Sequence, residues 1–165
     1  MPSRKRSKQR VFPGRDHDHG RCAAAALASA GALCARARAR LTPLRRRVLE
    51  LVWASHKPVG AYALLDRLRA DGRKAAPPTV YRALEFLVAR GLVHRIASVN
   101  AFFGCARPGV EHPVQVLLCQ TCGAAAELDD RRVSAAIGRS ALRHGFAVRD
   151  PVIELAGLCA YCQHP

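Results

Sequence analysis

The chain has 165 residues, half of them hydrophobic, and a formal net charge of +15. This length suits one ordinary domain or two small ones. No apolar run approaches the roughly 18–20 residues that span a bilayer, so an integral membrane protein is excluded. The basic N-terminus does not lead into a secretory signal with a cleavage site, and we expect a cytoplasmic protein.

The positive charge is concentrated in the front of the chain. Residues 1–21 carry seven Lys and Arg against two acids, residues 22–107 carry fifteen against four, and residues 108–165 carry five against six. A basic front and a nearly neutral back favour binding of a polyanion such as DNA, because neutralised phosphates release counterions. Arginine-rich solvated surfaces in a generally basic protein are the alternative.

The first two thirds of the chain predict a tail, four helices and a hairpin. Residues 1–21 are polar and basic, which predicts a disordered tail. Thr42 and Pro43 are typical of a helix N-cap and first helical position. The predicted helices span residues 22–40, 43 to about 55, 61–71 and 79–90, and the predicted strands span 92–96 and 101–104. Three helices followed by a hairpin are typical of a winged helix, whose last helix enters the major groove.

After Arg107-Pro108-Gly109 the pattern changes to that of a second, smaller domain. Strands are predicted at residues 114–119, 124–128, 146–148 and 152–158, with a helix over about 130–144. We therefore expect an α+β protein. Its predicted parts are a tail over 1–21, a winged-helix DNA-binding domain over 22–107, and a second, smaller domain over 108–165.

Four of the seven cysteines form two Cys-x-x-Cys pairs. Two intervening residues let both thiolates of a pair reach one ion, and two such turns complete the tetrahedron that zinc prefers. Redox-active or free thiols are the alternative, although a cytoplasmic protein is a poor setting for a disulfide framework. The sequence predicts a structural zinc site formed by Cys119, Cys122, Cys159 and Cys162.

Four more potential metal ligands flank the predicted domain junction: His94, Cys105, His112 and Glu127. Each has an ordinary explanation as a strand, core, linker or surface residue. Together, two imidazoles, one thiolate and one carboxylate would form a neutral zinc site. Glu111 could compete as the carboxylate ligand.

Several segments resemble the ferric uptake regulator family, and specifically its zinc uptake regulator branch. The resemblance rests on Leu41-Thr42-Pro43, the segment around Tyr62, the run from Pro77 to Leu84, and the paired cysteines, and it covers roughly residues 25–162. It implies a homodimeric, metal-responsive repressor with two zinc ions per protomer. The structural site corresponds to the paired cysteines, and the sensing site corresponds to His94, Cys105, His112 and Glu127.

The resemblance also implies DNA contacts through Tyr62 and Arg82. Arg82 on the fourth helix could bridge O6 and N7 of guanine. Thr79 and Tyr81 lie beside it as further candidates, although packing explains Tyr81 equally well. Arg45, Arg46 and Arg47 could contact phosphates or form a solvated surface.

The expected function is zinc-dependent repression of zinc-acquisition genes through operator DNA. A related regulator of iron, manganese or peroxide responses is the nearest alternative. A zinc deaminase needs His-x-Glu and Pro-Cys-x-x-Cys, which this chain lacks. A thiol-disulfide enzyme needs one metal-free pair, so we expect no catalytic residues. The end of the tail and the start of the first predicted helix carry His17, His19 and Cys22, which could bind a metal or remain solvated.

Overall fold

The computed structural model describes residues 11–14 and 17–163. Most of the predicted tail, residues 1–10 and 15–16, lies outside the described residues. The elements in chain order are α1 (His19–Arg36), α2 (Pro43–Val52), α3 (Ala61–Ala70), α4 (Pro77–Ala89), β1 (Val93–Ile96), β2 (Ala101–Gly104), β3 (Val114–Cys119), β4 (Ala125–Glu127), α5 (Arg131–Arg143), β5 (Val152–Gly157) and α6 (Ala160–Gln163). Among these elements, no helix combines the length and apolarity that crossing a membrane requires.

The first helix differs from its predicted bounds at both ends. It begins at His19 rather than residue 22, because the Asp18 carboxylate caps it by accepting a hydrogen bond from the Arg21 backbone N–H at 3.2 Å. It ends at Arg36 rather than residue 40, and Arg38 lies in the left-handed region at φ 49°. The predicted tail is therefore too long by three residues.

Helices α1 to α4 enclose the main hydrophobic core. Thr42 caps α2 as predicted, with its hydroxyl accepting from the Arg45 N–H at 3.3 Å, and Pro43 opens that helix. The apolar positions of all four helices face one another, and the fully buried side chains include Val48, Leu49, Leu64, Leu68, Val80, Leu84 and Leu87. This packing fixes the orientation of α4, the predicted DNA-reading helix.

The hairpin of β1 and β2 connects this helical unit to the C-terminal sheet. The two strands pair antiparallel, with His94 opposite Phe103. Ile96 and Phe103 form a second buried cluster with Val116 on β3 and Ala125. One face of the hairpin is therefore buried against the C-terminal unit.

The C-terminal unit is a three-stranded sheet in the order β4-β3-β5, with β3 and β5 parallel. Parallel neighbours need a crossover connection, and between β3 and β5 the chain makes it through β4 and α5. The predicted strand over residues 146–148 is wrong. Gly145, at φ +74°, ends α5, and the Phe146 N–H bonds back to the Ala141 carbonyl at 3.0 Å instead of joining a sheet. The predicted α+β class is confirmed.

Candidate metal centres and nucleic-acid interface

The two Cys-x-x-Cys pairs meet at one end of the C-terminal sheet. One sulfur from each of Cys119, Cys122, Cys159 and Cys162 lies within 4.8 Å of the others. The sulfurs of Cys122 and Cys159 are 3.9 Å apart. Tetrahedral zinc separates its nitrogen and sulfur ligands by roughly 3.3–3.8 Å, so the four thiols fit that ion with small adjustments.

The backbone around Cys119 favours the thiolate form of that residue, whereas the neighbouring cysteines raise the pKa of Cys162 to about 12. Cys119 ends β3, and Gly123 at φ +72° closes the turn by donating its N–H to the Cys119 carbonyl at 2.9 Å. Backbone N–H groups of Cys122 and Cys159 hydrogen-bond to the Cys119 sulfur and lower the pKa of that thiol to about 6. Since zinc binds thiolates, this end of the sheet suits a structural ion.

The other predicted ligands converge at the junction between the hairpin and the sheet. His94 lies on β1, Cys105 follows β2, His112 precedes β3, and Glu127 ends β4. One donor atom from each lies within 4.8 Å of the others. His94 Nε2 is 3.4 Å from Glu127 Oε1, and Cys105 Sγ is 3.7 Å from His112 Nε2. These separations are close to those around a tetrahedral zinc ion.

The imidazoles and the carboxylate of this junction site are desolvated. The side chains of His94, His112 and Glu127 expose only 9%, 8% and 3% of their surface. Nε2 of His94 is buried and has no hydrogen-bond partner in the described part of the chain. Burying an unpartnered polar nitrogen costs about 1–3 kcal/mol, which a bound cation would offset.

The charges at the junction site also suit a cation. Burial disfavours the Glu127 carboxylate, but its contact with His94, the Ala106 N–H at 2.9 Å and the His112 charge outweigh burial and lower its pKa to about 2. Burial and the Glu127 charge raise the pKa of Cys105 to about 12. The site therefore holds an ionised carboxylate beside a protonated thiol, and a divalent ion would stabilise both as anions.

Two backbone groups that sequence reasoning missed support these ligands. The Ala106 N–H orients Glu127, and His112 Nδ1 donates to the Val110 carbonyl at 2.6 Å. The second contact fixes the tautomer and leaves Nε2 of His112 facing the other donors. Backbone contacts of this kind carry no residue signature, so the sequence offers no signal for them. Glu111 is exposed and is not part of the four-donor group.

The predicted DNA contacts lie on the outer surface of α3 and α4. Tyr62 is 66% exposed and Tyr81 is 40% exposed, while Thr79 is half-buried near the start of α4. Arg82 is exposed, and its Nε donates to the Pro78 carbonyl at 3.3 Å, which leaves its terminal nitrogens toward solvent. The four side chains occupy neighbouring helices, with Arg82 free to engage a base edge.

The three consecutive arginines of α2 make contacts within the protein. Arg45 stacks on the Phe86 ring, 3.6 Å from its centroid. Arg46 pairs with Glu50, and Arg47 pairs with both Glu50 and Asp71. Arg47 in particular binds Asp71 through two nitrogens, so its positive charge is neutralised within the protein.

Comparisons with known proteins agree with this arrangement. A family model, that of the ferric uptake regulator family, matches residues 36–156. The chain belongs to this family. The zinc uptake regulation protein of Escherichia coli (strain K12) is 42% identical over 133 residues, covering 79% of this chain and 77% of the relative. Within the ferric uptake regulator family, the predicted zinc uptake regulator branch is confirmed.

Solved structures of the zinc branch share the fold. A zinc uptake regulator complexed with zinc and DNA is 40% identical with a TM-score of 0.79, covering 86% of this chain and 95% of that structure. The holo and apo forms of XcZur are both 43% identical, and the match covers 84% and 86% of this chain and 97% of each form. Their TM-scores are 0.77 and 0.50. At the same sequence identity, the overall backbone of this chain is therefore more similar to the holo form than to the apo form.

Proposed function

We propose that this chain is a zinc-responsive transcriptional repressor that binds operator DNA as a zinc-loaded homodimer and represses zinc-acquisition genes. The observation that carries the proposal is the buried set of four donors at the junction between the hairpin and the C-terminal sheet. Membership of the zinc branch and the similarity to a zinc- and DNA-bound regulator support it.

The regulatory ion would act by bridging two parts of the chain. His94 and Cys105 belong to the hairpin and its exit, whereas His112 and Glu127 belong to the approach to β3 and the end of β4. Coordination by all four ligands favours one relative placement of these parts, and ligand binding shifts the population toward that placement. To raise the fraction of protein in the DNA-binding conformation from 1% to 99%, zinc must bind that conformation about 5.5 kcal/mol more tightly than the other one.

The dimer interface is proposed on the outer surface of the C-terminal unit. Helix α5 has no buried residue, and β5 pairs on one side alone in the described sheet. Exposed apolar side chains lie on these two elements and directly after each of them: Ile137, Leu142, Phe146, Val152, Leu155 and Leu158. A symmetric partner would cover both the apolar surface and the open strand edge.

In such a dimer, each α4 would read one half-site in the major groove. Centres of the half-sites then lie about 34 Å apart or a multiple of that distance. Arg82 is proposed to read guanine, with Thr79, Tyr81 and Tyr62 as further DNA contacts. The strongly basic N-terminal two thirds of the chain supplies the nonspecific attraction to phosphates.

The remaining parts of the proposal follow from this assignment. Residues 22–107 form the DNA-binding domain and residues 108–165 the dimerisation domain. Each protomer holds a structural zinc at the four cysteines and a regulatory zinc at the junction. Because a bacterial repressor binds the chromosome, the proposed location is the cytoplasm. The proposal assigns no catalytic residue.

Replacement of one regulatory ligand tests the proposal. Cys105→Ser should reduce the zinc count by one in native mass spectrometry, retain the four-thiolate ion, and abolish zinc-dependent operator binding in fluorescence anisotropy. Cys34→Ala is the matched control, because Cys34 is equally buried but belongs to the helical core.

Two outcomes would overturn the proposal. One is operator binding by Cys105→Ser as tight as that of the wild type. The other is a metal titration in which iron or manganese supports DNA binding at lower free concentration than zinc, since a thiolate ligand favours zinc.

A further inference from the structure

A third set of metal-binding side chains lies outside both sites described above. His17, Cys22 and His56 each place one donor atom within 4.8 Å of the other two. His17 Nε2 is 2.8 Å from the Cys22 sulfur, and the rings of His17 and His56 have centroids 5.0 Å apart. None of these three residues belongs to the four-thiolate group or to the junction site.

The local structure explains why residues so far apart in sequence meet. Asp18 caps α1, which places His17 just before the helix and Cys22 in its first turn. His56 follows α2, with its ring 6.4 Å from that of Trp53. Because α1 packs through buried Ala26 and Ala30 in the same core as α2, the core itself sets the distance between Cys22 and His56.

His56 is in a state suited to a metal ligand. Its Nε2 is buried, and within residues 11–14 and 17–163 that nitrogen has no hydrogen-bond partner. Burial, together with the nearby His19 and His17, lowers the pKa of His56 to about 4, so the ring is neutral near pH 7. A neutral imidazole is the form that binds metal.

The surroundings connect this cluster to the domain junction. A cavity of about 400 Å³ is lined by His17, Cys22 and His56, and also by Cys105 and Glu127 of the junction site. The His56 carbonyl accepts a hydrogen bond from the Ala125 N–H at 2.8 Å, at the start of β4. An ion held here would fix the start of α1 against the loop after α2, whose His56 carbonyl contacts the start of β4.

We propose that His17, Cys22 and His56 bind a third zinc ion, separate from the structural and regulatory ions. Two imidazoles and one thiolate are ligands that zinc accepts, and the Cys22 thiol releases its proton to solvent when the ion binds. Water would supply the fourth ligand, because the three donors are only partly buried. The site docks the segment before α1 onto the helical core.

Zinc counting on the untagged, full-length protein tests the proposal. After zinc titration and removal of loosely bound metal, native mass spectrometry should give three zinc ions per protomer for the wild type and two for Cys22→Ser and for His56→Gln. His144→Gln is the matched control, because His144 is exposed at the end of α5 and outside all three groups, and it should retain three.

A spectroscopic titration keeps the test valid if a variant is less stable. Cobalt(II) added to protein with zinc in the four-thiolate site should give thiolate-to-cobalt absorption at two sites in the wild type and at one in Cys22→Ser. In the Cys105→Ser background the count should fall by one independently of Cys22, which separates this site from the regulatory one. A wild type that stops at two zinc ions, or a count unchanged by both Cys22→Ser and His56→Gln, would overturn the proposal.

Discussion

Glu154 on β5 holds Ser98 in the turn of the hairpin. Its carboxylate accepts hydrogen bonds from the backbone N–H groups of Ala97 and Ser98, at 2.7 and 3.0 Å. The contact joins the tip of the β1–β2 hairpin to the C-terminal sheet, at a point separate from the metal ligands. Like the buried cluster of Ile96 and Phe103 with Val116, it is a link across the junction that needs no metal.

Removal of the Glu154 charge should weaken this link. Glu154→Gln keeps the shape but loses the ionised acceptor, worth about 1 kcal/mol for a hydrogen-bonded pair. We expect operator binding by the zinc-loaded protein to weaken roughly fivefold in fluorescence anisotropy, with unchanged zinc content. Asp150→Asn, an exposed acid in the loop before β5, is the control, and an equal loss there would contradict the prediction.

The same pair predicts a pH dependence. Burial disfavours ionised Glu154, but the hydrogen bonds from Ser98 and Ala97 outweigh it and lower the pKa of Glu154. A lowered folded-state pKa stabilises the protein above the unfolded-state pKa of about 4.3, and this stabilisation is lost as the pH falls through the folded value. In denaturant unfolding, the stability difference between wild type and Glu154→Gln should be constant above about pH 5, shrink as the pH falls from the unfolded-state pKa through the folded-state pKa, and vanish below the folded-state value. A difference that does not shrink as the pH is lowered from about 5 would contradict the assignment.

Gly104 is required by the indole of Trp53. A Cβ at this position would lie 2.3 Å from Trp53 Cε2, which is far inside contact distance. Overpacking of this kind costs about 1–3 kcal/mol, so Gly104→Ala should lower the thermal midpoint and loosen the adjacent Cys105. Gly31→Ala is the control: its Cβ has open space, and removing a helical glycine should stabilise α1 by about 0.5–1 kcal/mol. A melting temperature unchanged by Gly104→Ala would contradict this account.

Arg82 and Arg47 should separate DNA recognition from stability. Arg82→Ala should weaken operator binding by about 1–3 kcal/mol and reduce discrimination at one guanine, without changing the unfolding free energy. Arg47→Ala should lower the unfolding free energy only slightly, because its bidentate pair with Asp71 is solvent-exposed, and should leave DNA binding unchanged. Anisotropy with operator variants and urea unfolding check both. A reversed pattern would contradict the assignment of α4 as the reading helix.

An acidic residue on the open edge should separate the protomers. Leu155 is 48% exposed on β5, and Leu155→Asp places a charge in the proposed dimer interface. We expect a monomer in sedimentation velocity and loss of cooperative binding to two half-sites. Ala70→Asp, exposed at the end of α3, is the control and should remain dimeric. A dimeric Leu155→Asp protein would place the interface elsewhere.

Local signals in the sequence predicted much of this fold. Thr42 and Pro43 set the start of α2, and the spacing within each cysteine pair predicted their joint use. The sequence prediction lacks the Asp18 cap, so the predicted first helix begins three residues after the observed start of α1. The apolar residues beside Phe146 favour a strand. The Phe146 N–H instead donates to the Ala141 carbonyl at the end of α5.

The sites were predictable to different degrees. The spacing within each Cys-x-x-Cys pair indicates a shared ion, but His94 and Glu127 are 33 positions apart, and only their place beside the predicted junction and the family resemblance group them. His56 was missed altogether, because its approach to Cys22 depends on how α1 packs beside α2. Contacts created by helix packing leave no short-range signal in the sequence.

The four-thiolate group has a consequence for the newly made protein. Helices of the N-terminal unit can fold as soon as they are synthesised, since domains generally fold in order of emergence. Cys119 and Cys122, by contrast, cannot enclose an ion until Cys159 and Cys162 have been synthesised. During that interval the thiols are exposed to oxidation. If zinc is scarce during synthesis, we therefore expect subunits with oxidised cysteines as well as subunits whose regulatory site is empty.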